Sequence, residues 1–297
     1  MSALAFEDVH RAYRTGIEVL DGITFSVEPG RVAGLLGKNG AGKTTLIRIA
    51  MGMIEAQRGR VRVLGMDPRE RPVELRRRVG YVAEDQILPP HMKVGEVLAL
   101  HRRLFPTWDE EMARSLADRF ELDPGARIRT LSKGQARRVA LLAAVAHRPE
   151  LLLLDEPASG LDPAARREFL ETSIRLLNES GCAILFSSHY MTDIERMADR
   201  IVMIHDGRVL IDRDLDELRE GFSLALVPRA PGVTRERLLA VEGCIGVRER
   251  PEAFHAVLRL EPEEARTAVR GRLAIEDVRC QSIVLEDLFV ELAGGQS

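Results

Sequence analysis

The amino-acid sequence predicts an α/β protein built on a parallel sheet, and three observations carry that expectation. Continuous apolar runs stand in "ELLLLDEP", "CAILFSSH" and "RIVMIHDG", the mark of strands buried on both faces. Helical segments such as "KTTLIRIAMGMI" and "AARREFLETSIRLLNESG" alternate with such runs, as crossover connections require. Ahead of them, "LAFEDVHRAY" and "GITFSVEPGRV" read as short strands separated by tight turns.

In order, the first strands lead to "RVAGLLG", a buried strand ending in a glycine-rich loop, then to the helix "KTTLIRIAMGMI" and a further strand in "GRVRVLG". "RRR" at Arg76 to Arg78 reads as a solvated helix face. From Val94 to Arg148 apolar residues recur at spacings of three and four in "VGEVLALHRRLF", "DEEMARSLADRF" and "QARRVALLAAVAH", which predicts a helical insertion. The buried strands and crossover helices follow. Beyond Glu220 the character changes: no lysine occurs, strand-like pieces alternate with the helical "VTRERLLAVEG", and the chain ends on "SIVLEDLFVELAG". This predicts a small appended α+β segment with a packing role first and a regulatory one second.

The bulk properties exclude several classes. With 297 residues, 45% hydrophobic and 30% charged, the chain has ample length to bury a core in one large domain or two modest ones. Its longest apolar run, Val139 to Ala146, is far short of the ~20 residues that span a bilayer as helix. The start "MSALAFEDVH" lacks the basic-then-apolar order of a secretory signal. Three scattered cysteines without metal-ligand spacing suggest a reducing compartment, so the expected location is the cytoplasm. A net charge of −3 gives no electrostatic reason to expect nucleic-acid binding. Only four lysines occur, Lys38, Lys43, Lys93 and Lys133, and three lie in or beside candidate phosphate-binding motifs.

"GKNGAGKTT", Gly37 to Thr45, fits G-x-x-x-x-G-K-[ST] between a strand and a helix. In that motif the backbone of Gly37, Asn39, Gly40, Ala41 and Gly42 closes around phosphate oxygens. Lys43 reaches the β- and γ-phosphates, Thr44 offers a hydroxyl to magnesium, and Thr45 follows on the helix. Asp155, at the end of "LLLLDE", stands where a carboxylate completes the metal site. Glu156 is either a general base polarising an attacking water or a surface glutamate opening a turn before Pro157. His189 closes "LFSSH" at a strand's carboxyl end, where open α/β sheets place ligands; there it either contacts a γ-phosphate or packs as an ordinary histidine. In "TLSKGQARRVALL", Ser132 and Gln135 have the types and spacing of a capping box, and the same helix start is an anion site by its free N–H groups and dipole.

The ordered set "GKNGAGKTT", "LSKGQ", "LLLLDEP", "SGLD" and "SSH" resembles the nucleotide-binding subunit of ATP-binding cassette (ABC) transporters, over roughly Leu4 to Asp216. The resemblance implies a P-loop NTPase (RecA-like) core with an N-terminal antiparallel β subdomain. It implies a nucleotide-binding domain over 1–220, its helical subdomain over about 85–148, and a C-terminal accessory segment over 221–297. It implies ATP and Mg2+ as cofactors, and ATP sandwiched between one subunit's phosphate loop and the other's signature. Ser132, Lys133, Gly134 and Gln135 would then face the partner's nucleotide, Asp162 would belong to the D-loop, and Tyr13 would stack on adenine or else pack locally. The partner is a second such subunit, identical or paralogous, and the pair works on a separate transmembrane permease at the cytoplasmic face of the membrane.

Three departures stand out. Lys133 replaces the usual second glycine of the signature, and Ala158 the usual threonine after "DEP". The Q-loop glutamine position after "GYV" holds Glu84, with Gln86 nearby, and either can serve there. "GYVAEDQILPPHMKVGEVL", "FPTWD" and the ending "VLEDLFVEL" resemble exporter-type bacterial (ABC-2-like) cassettes. The expected function is an ATPase subunit powering transport, with a soluble cassette ATPase acting on ribosomes or DNA as the alternative. A single phosphate loop and the lack of sustained heptads favour the first, and the presence of Glu156 and His189 argues against a non-catalytic nucleotide sensor.

Overall fold

A computed structural model describes residues 2–13, 16–84, 88–178, 181–284 and 286–288, apart from the side chains of 175–178. The chain forms two compact units, Met1–Asp212 and Arg213–Ser297.

The first unit opens with β1 (Leu4–Ala12) and β2 (Glu18–Val27), then β3 (Val32–Leu36) and the helix α1 (Lys43–Ala50), then β4 (Arg58–Val63). β2, β1 and β4 make an antiparallel three-stranded sheet, with β1 in the middle and pairs such as Phe6 with Phe25 and Phe6 with Val61. Leu4 and Phe6, and Val9 beyond an irregularity in the register, point into the core, which is why one face of this sheet is apolar and the other wet. The chain continues through α2 (Pro72–Arg78), β5 (Val79–Val82), α3 (Val94–Leu104), α4 (Glu110–Arg119), α5 (Lys133–Val145), β6 (Leu151–Leu154), α6 (Pro163–Asn178), β7 (Ala183–Ser188), α7 (Met191–Met197), β8 (Arg200–His205) and β9 (Arg208–Asp214). On α2, Arg76 and Arg77 are exposed and Arg78 pairs with Glu150.

The large sheet runs β5-β6-β7-β3-β8-β9. β5 through β8 are parallel neighbours. The turn Asp206–Gly207 joins β8 to β9, and a two-residue link permits only an antiparallel pair. Leu151 to Leu154 and Ala183 to Ser188 are buried throughout, so the continuous apolar runs are strands covered on both faces. Burying each leucine contributes about 1.5–3 kcal/mol against its exposed state. The order of strands matters for the site: β7 lies between β6 and β3, so their carboxyl ends open side by side.

The second unit comprises α8 (Leu215–Gly221), β10 (Ser223–Pro228), α9 (Arg235–Leu239), β11 (Cys244–Glu249), β12 (Ala253–Leu258), α10 (Pro262–Leu273) and β13 (Arg279–Ser282). Its antiparallel sheet, β11-β12-β10-β13, is covered by residues of α9 and α10 around Val227, Leu238, Val269 and Leu273.

At the end of α5, His147 is buried and stacks on Phe105 with ring centroids 4.1 Å apart, and neither ring nitrogen has a well-formed hydrogen bond. Burial lowers its pKa to about 4; the charge of His101 adds to this and a backbone contact at Val79 offsets a little. The unfolded chain holds a proton on this ring up to about pH 6.5, so between pH 4 and 6.5 it binds more protons than the fold. Stability from neutral His147 is therefore full above about pH 6.5 and declines as pH falls to 4, by no more than about 3 kcal/mol. Thermal unfolding followed from pH 7.5 to 4.5 should show that slope, and His147→Leu should flatten it.

Candidate active site

The loop between β3 and α1 is shaped by Gly42, whose φ of 103° is one that a side chain resists. A Cβ there would lie 2.6 Å from Leu20 Cδ2 and 2.9 Å from the Val19 carbonyl oxygen, so only glycine lets the loop pass under β2. The Lys43 ammonium folds back along the loop and donates to the carbonyl oxygens of Gly37 at 2.7 Å and Lys38 at 3.3 Å. Ala41 is buried beneath it. A cleft of about 510 Å3 opens above, lined by Asn39, Gly40, Gly42, Lys43, Thr44 and Thr45 of the loop together with Tyr13, Val19, Glu84 and Glu156. The exposed ring of Tyr13 stands at its rim, with its hydroxyl 3.3 Å from Thr45 Oγ1 and the Arg11 guanidinium 5.3 Å from its centroid.

Two carboxylates enter from the end of β6. Asp155 accepts from the Thr44 hydroxyl and from the Ser187 hydroxyl, both at 3.0 Å onto Oδ1. Burial pushes its carboxyl above the usual range, and these two hydrogen bonds oppose the shift. Glu156 adopts φ 46°, the left-handed region that non-glycine residues seldom occupy. Its amide donates to Ser187 Oγ at 2.8 Å, its Oε1 lies 3.0 Å from Lys43 Nζ, and its Oε2 accepts from His189 Nδ1 at 2.9 Å. The Lys43 contact is an ion pair without hydrogen-bond alignment, since Oε1 has no hydrogen-bonded partner. Both side chains are about 95% buried, where a charge pair interacts far more strongly than in water. Lys43, Glu156 and His189 thus form one chain of contacts beside a second made by Thr44, Asp155 and Ser187.

The expected site residues divide spatially. Asn39, Gly40, Gly42, Lys43, Thr44 and Thr45 line the cleft with Tyr13, Glu84 and Glu156, Gly37 and the buried Ala41 do not, and Asp155 and His189 are bonded to lining residues. Gln86 lies outside the described residues. Ser132, Lys133, Gly134, Gln135 and Asp162 do not line it. Ser132 caps α5: its hydroxyl accepts from the Gln135 amide at 3.2 Å while Gln135 Oε1 accepts from the Ser132 amide at 2.9 Å. Ser132, Lys133 and Gln135 are exposed, and a Cβ on Gly134 would touch Leu161 Cδ2 at 3.4 Å. Exposed Asp162 caps α6 by accepting from the amides of Ala164 and Ala165.

Sequence reasoning missed Ser187, the residue that joins the Asp155 carboxylate to the Glu156 backbone amide. The available signal was its place two residues before His189, on the strand that runs between the two motif strands. Val19 was missed as well, and it carries no chemical signal of its own.

With this geometry in hand, comparison with known proteins is decisive. Residues 20–159 match the family described as ABC transporter. The chain is 32% identical to the Nod factor export ATP-binding protein I of Burkholderia thailandensis, over 99% of this chain and 98% of the relative. The chain belongs to the ABC transporter ATP-binding family. It is also 29% identical to the ABC transporter ATP-binding protein YtrB of Bacillus subtilis, over 95% of both chains. Among solved structures, that of an ATP-binding subunit of an ABC transporter superposes with a TM-score of 0.67 at 31% identity, covering 73% of this cassette and 92% of the other. The cassette therefore has the P-loop NTPase fold of its family, binds and hydrolyses ATP, and is the ATP-binding subunit of a transporter. These relatives favour that reading over the alternative of a soluble ATPase on ribosomes or DNA.

The Ser187 hydroxyl both accepts from the buried Glu156 amide and donates to the Asp155 carboxylate, so Ser187→Ala leaves the amide unpaired at a cost of about 1–3 kcal/mol and Asp155 Oδ1 with Thr44 alone. The expected result is an ATPase turnover lowered about tenfold or more with nucleotide affinity within a few-fold of wild type, read by steady-state kinetics and a nucleotide-binding titration.

Proposed function

We propose that two such chains, identical or paralogous, close on two ATP molecules and reopen after hydrolysis, driving export through a separate transmembrane permease. The observation that carries this reading is the contact chain Lys43–Glu156–His189 beside the phosphate loop. In it Glu156 is the general base for the attacking water and His189 holds its carboxylate and contacts the γ-phosphate. Lys43 neutralises the β- and γ-phosphates. The loop residues Gly37, Asn39, Gly40, Ala41, Gly42 and Thr45 cradle the phosphates, and Tyr13 stacks on adenine.

Magnesium suits the donors offered. Thr44 Oγ1 and Asp155 Oδ1 are hard oxygens 3.0 Å apart, about the edge of an octahedron with 2.0–2.1 Å bonds. These two would hold the ion, with Glu84 or Gln86 as the further ligand from the Q-loop, and when bound it would supply positive charge against that developing on the phosphates. Ser132, Lys133, Gly134, Gln135 and Asp162 lie outside the cleft of their own chain and face the partner's nucleotide. ATP bridging two surfaces favours the closed pair, and its products do not, which supplies the differential affinity that a cycle needs.

No described helix is long and apolar enough to cross a membrane, in keeping with a peripheral subunit on the cytoplasmic face. The permease contact is assigned to the helical insertion around residues 84–94, and a largely apolar groove of about 350 Å3 that starts at Val94 is lined further along by Leu98, Trp108 and Leu122. Export rather than import is favoured by relatives named for Nod factor export and daunorubicin resistance.

Glu156→Gln should leave ATP binding intact, lower turnover about a hundredfold or more and accumulate an ATP-bound dimer on size exclusion. Unchanged turnover would remove Glu156 from the role of base. Lys43→Ala should lose nucleotide affinity and turnover together, and normal hydrolysis by that variant would overturn the site.

A further inference from the structure

Arg137 lies on α5, two residues beyond Gln135, and its guanidinium reaches two other segments of the same unit. Nη1 donates to the Pro157 carbonyl oxygen at 2.9 Å and Nη2 to the Glu84 carbonyl oxygen at 3.4 Å. Pro157 directly follows Glu156, whose carboxylate is paired with Lys43. Glu84 lines the nucleotide cleft, two residues past Val82, whose carbonyl oxygen accepts from the Asp155 amide at 2.8 Å. One side chain therefore ties the helix that begins at the Ser132–Gln135 capping box to the turn carrying Glu156 and to the cleft's far wall. The planar fork of a guanidinium can serve two carbonyl oxygens at once from fixed directions, which a lysine ammonium on a flexible stem does not reproduce. A Cβ added at Gly134 would meet Leu161 Cδ2 at 3.4 Å, so the start of α5 also lies beside the segment that follows Pro157.

We propose that Arg137 is a positioning residue that couples the two ATP sites of the closed pair, by linking the helix start that meets the partner's nucleotide to Glu156 and Glu84 of its own site. This rests on the reading that the partner's ATP engages Ser132 and Gln135. A helix moves as a rigid body, so a small shift at its capped end reaches the guanidinium one turn later and, through it, the two carbonyls. Arg137 does not line the nucleotide cleft; it sets where Glu156 stands when the other site is filled. The coupling is then reciprocal, as any linkage between two binding events must be.

The test uses the full chain with Arg137→Met and Arg137→Lys, read by binding of a fluorescent ATP analogue at low protein concentration and by ATPase rate against ATP concentration. Each variant should bind nucleotide within about twofold of wild type, because the phosphate loop is untouched. Turnover should fall about tenfold in the methionine variant, with the Hill coefficient dropping towards one, and the lysine variant should restore part of both. A merely structural role lowers turnover or thermal stability and leaves the Hill coefficient alone, and that result overturns the proposal. Should Arg137→Met fail to fold, Arg137→Lys keeps the charge and a single bond and gives the same reading. A wild type that hydrolyses ATP without cooperativity overturns the two-chain reading itself, whereas a cooperative wild type with equally cooperative variants overturns this inference alone.

Discussion

The buried pair of Lys43 and Glu156 is the interaction on which the rest of the site depends. Two opposite charges 3.0 Å apart and about 95% buried interact strongly, yet each costs several kcal/mol to take out of water. Such a pair persists only where further contacts hold both partners. Lys43 is held by the carbonyls of its own loop, and Glu156 by His189 on its carboxylate and Ser187 on its amide. The left-handed backbone at Glu156 belongs to the same arrangement. It turns the carboxylate back over the sheet towards Lys43, and the strain, of order 1–3 kcal/mol, is tolerated because three contacts fix the residue.

Those contacts require the strand order. The lysine follows β3, the carboxylates follow β6, and β7 runs between them with Ser187 and Ser188 at its end and His189 just beyond. The Ser187 hydroxyl on β7 bridges to the neighbouring strand end while staying buried. The parallel arrangement in turn depends on leucine and isoleucine runs that accept burial on both faces. Packing, topology and electrostatics here are three levels of one constraint, because a strand displaced by one position would separate Glu156 from Lys43.

Much of this was legible in the sequence, for reasons that differ by residue. The phosphate loop, the carboxylate pair and the histidine lie at the ends of buried strands, and each motif carries its chemistry in its residue types. The capping box was legible because Ser132 and Gln135 interact within one helical turn. Ser187 and Arg137 were not legible, since their partners are 20 to 53 residues away in the chain and no local pattern marks them. Of helix α2 only the face at Arg76 to Arg78 was legible, and the short strand β5 and helix α7 went unassigned for a related reason: four or seven residues hold too few periods to announce themselves. Val19 matters only because Gly42 passes beneath it, a tertiary accident of approach that spacing does not encode.

The start of α5 shows how one feature satisfies two demands. The reciprocal bonds between Ser132 and Gln135 take up the amides of those two residues and leave those of Lys133 and Gly134 outside the box. The cap therefore stabilises the helix without using up the donors that a phosphate would seek, and the dipole still directs its positive end outward. Within its own chain this end does not line the cleft, so the phosphate loop and the helix start of one chain do not share a site. On the proposed reading each half is completed only by the other chain. The energy that closes the pair is then borne by the nucleotide itself, and splitting that nucleotide removes the bridge.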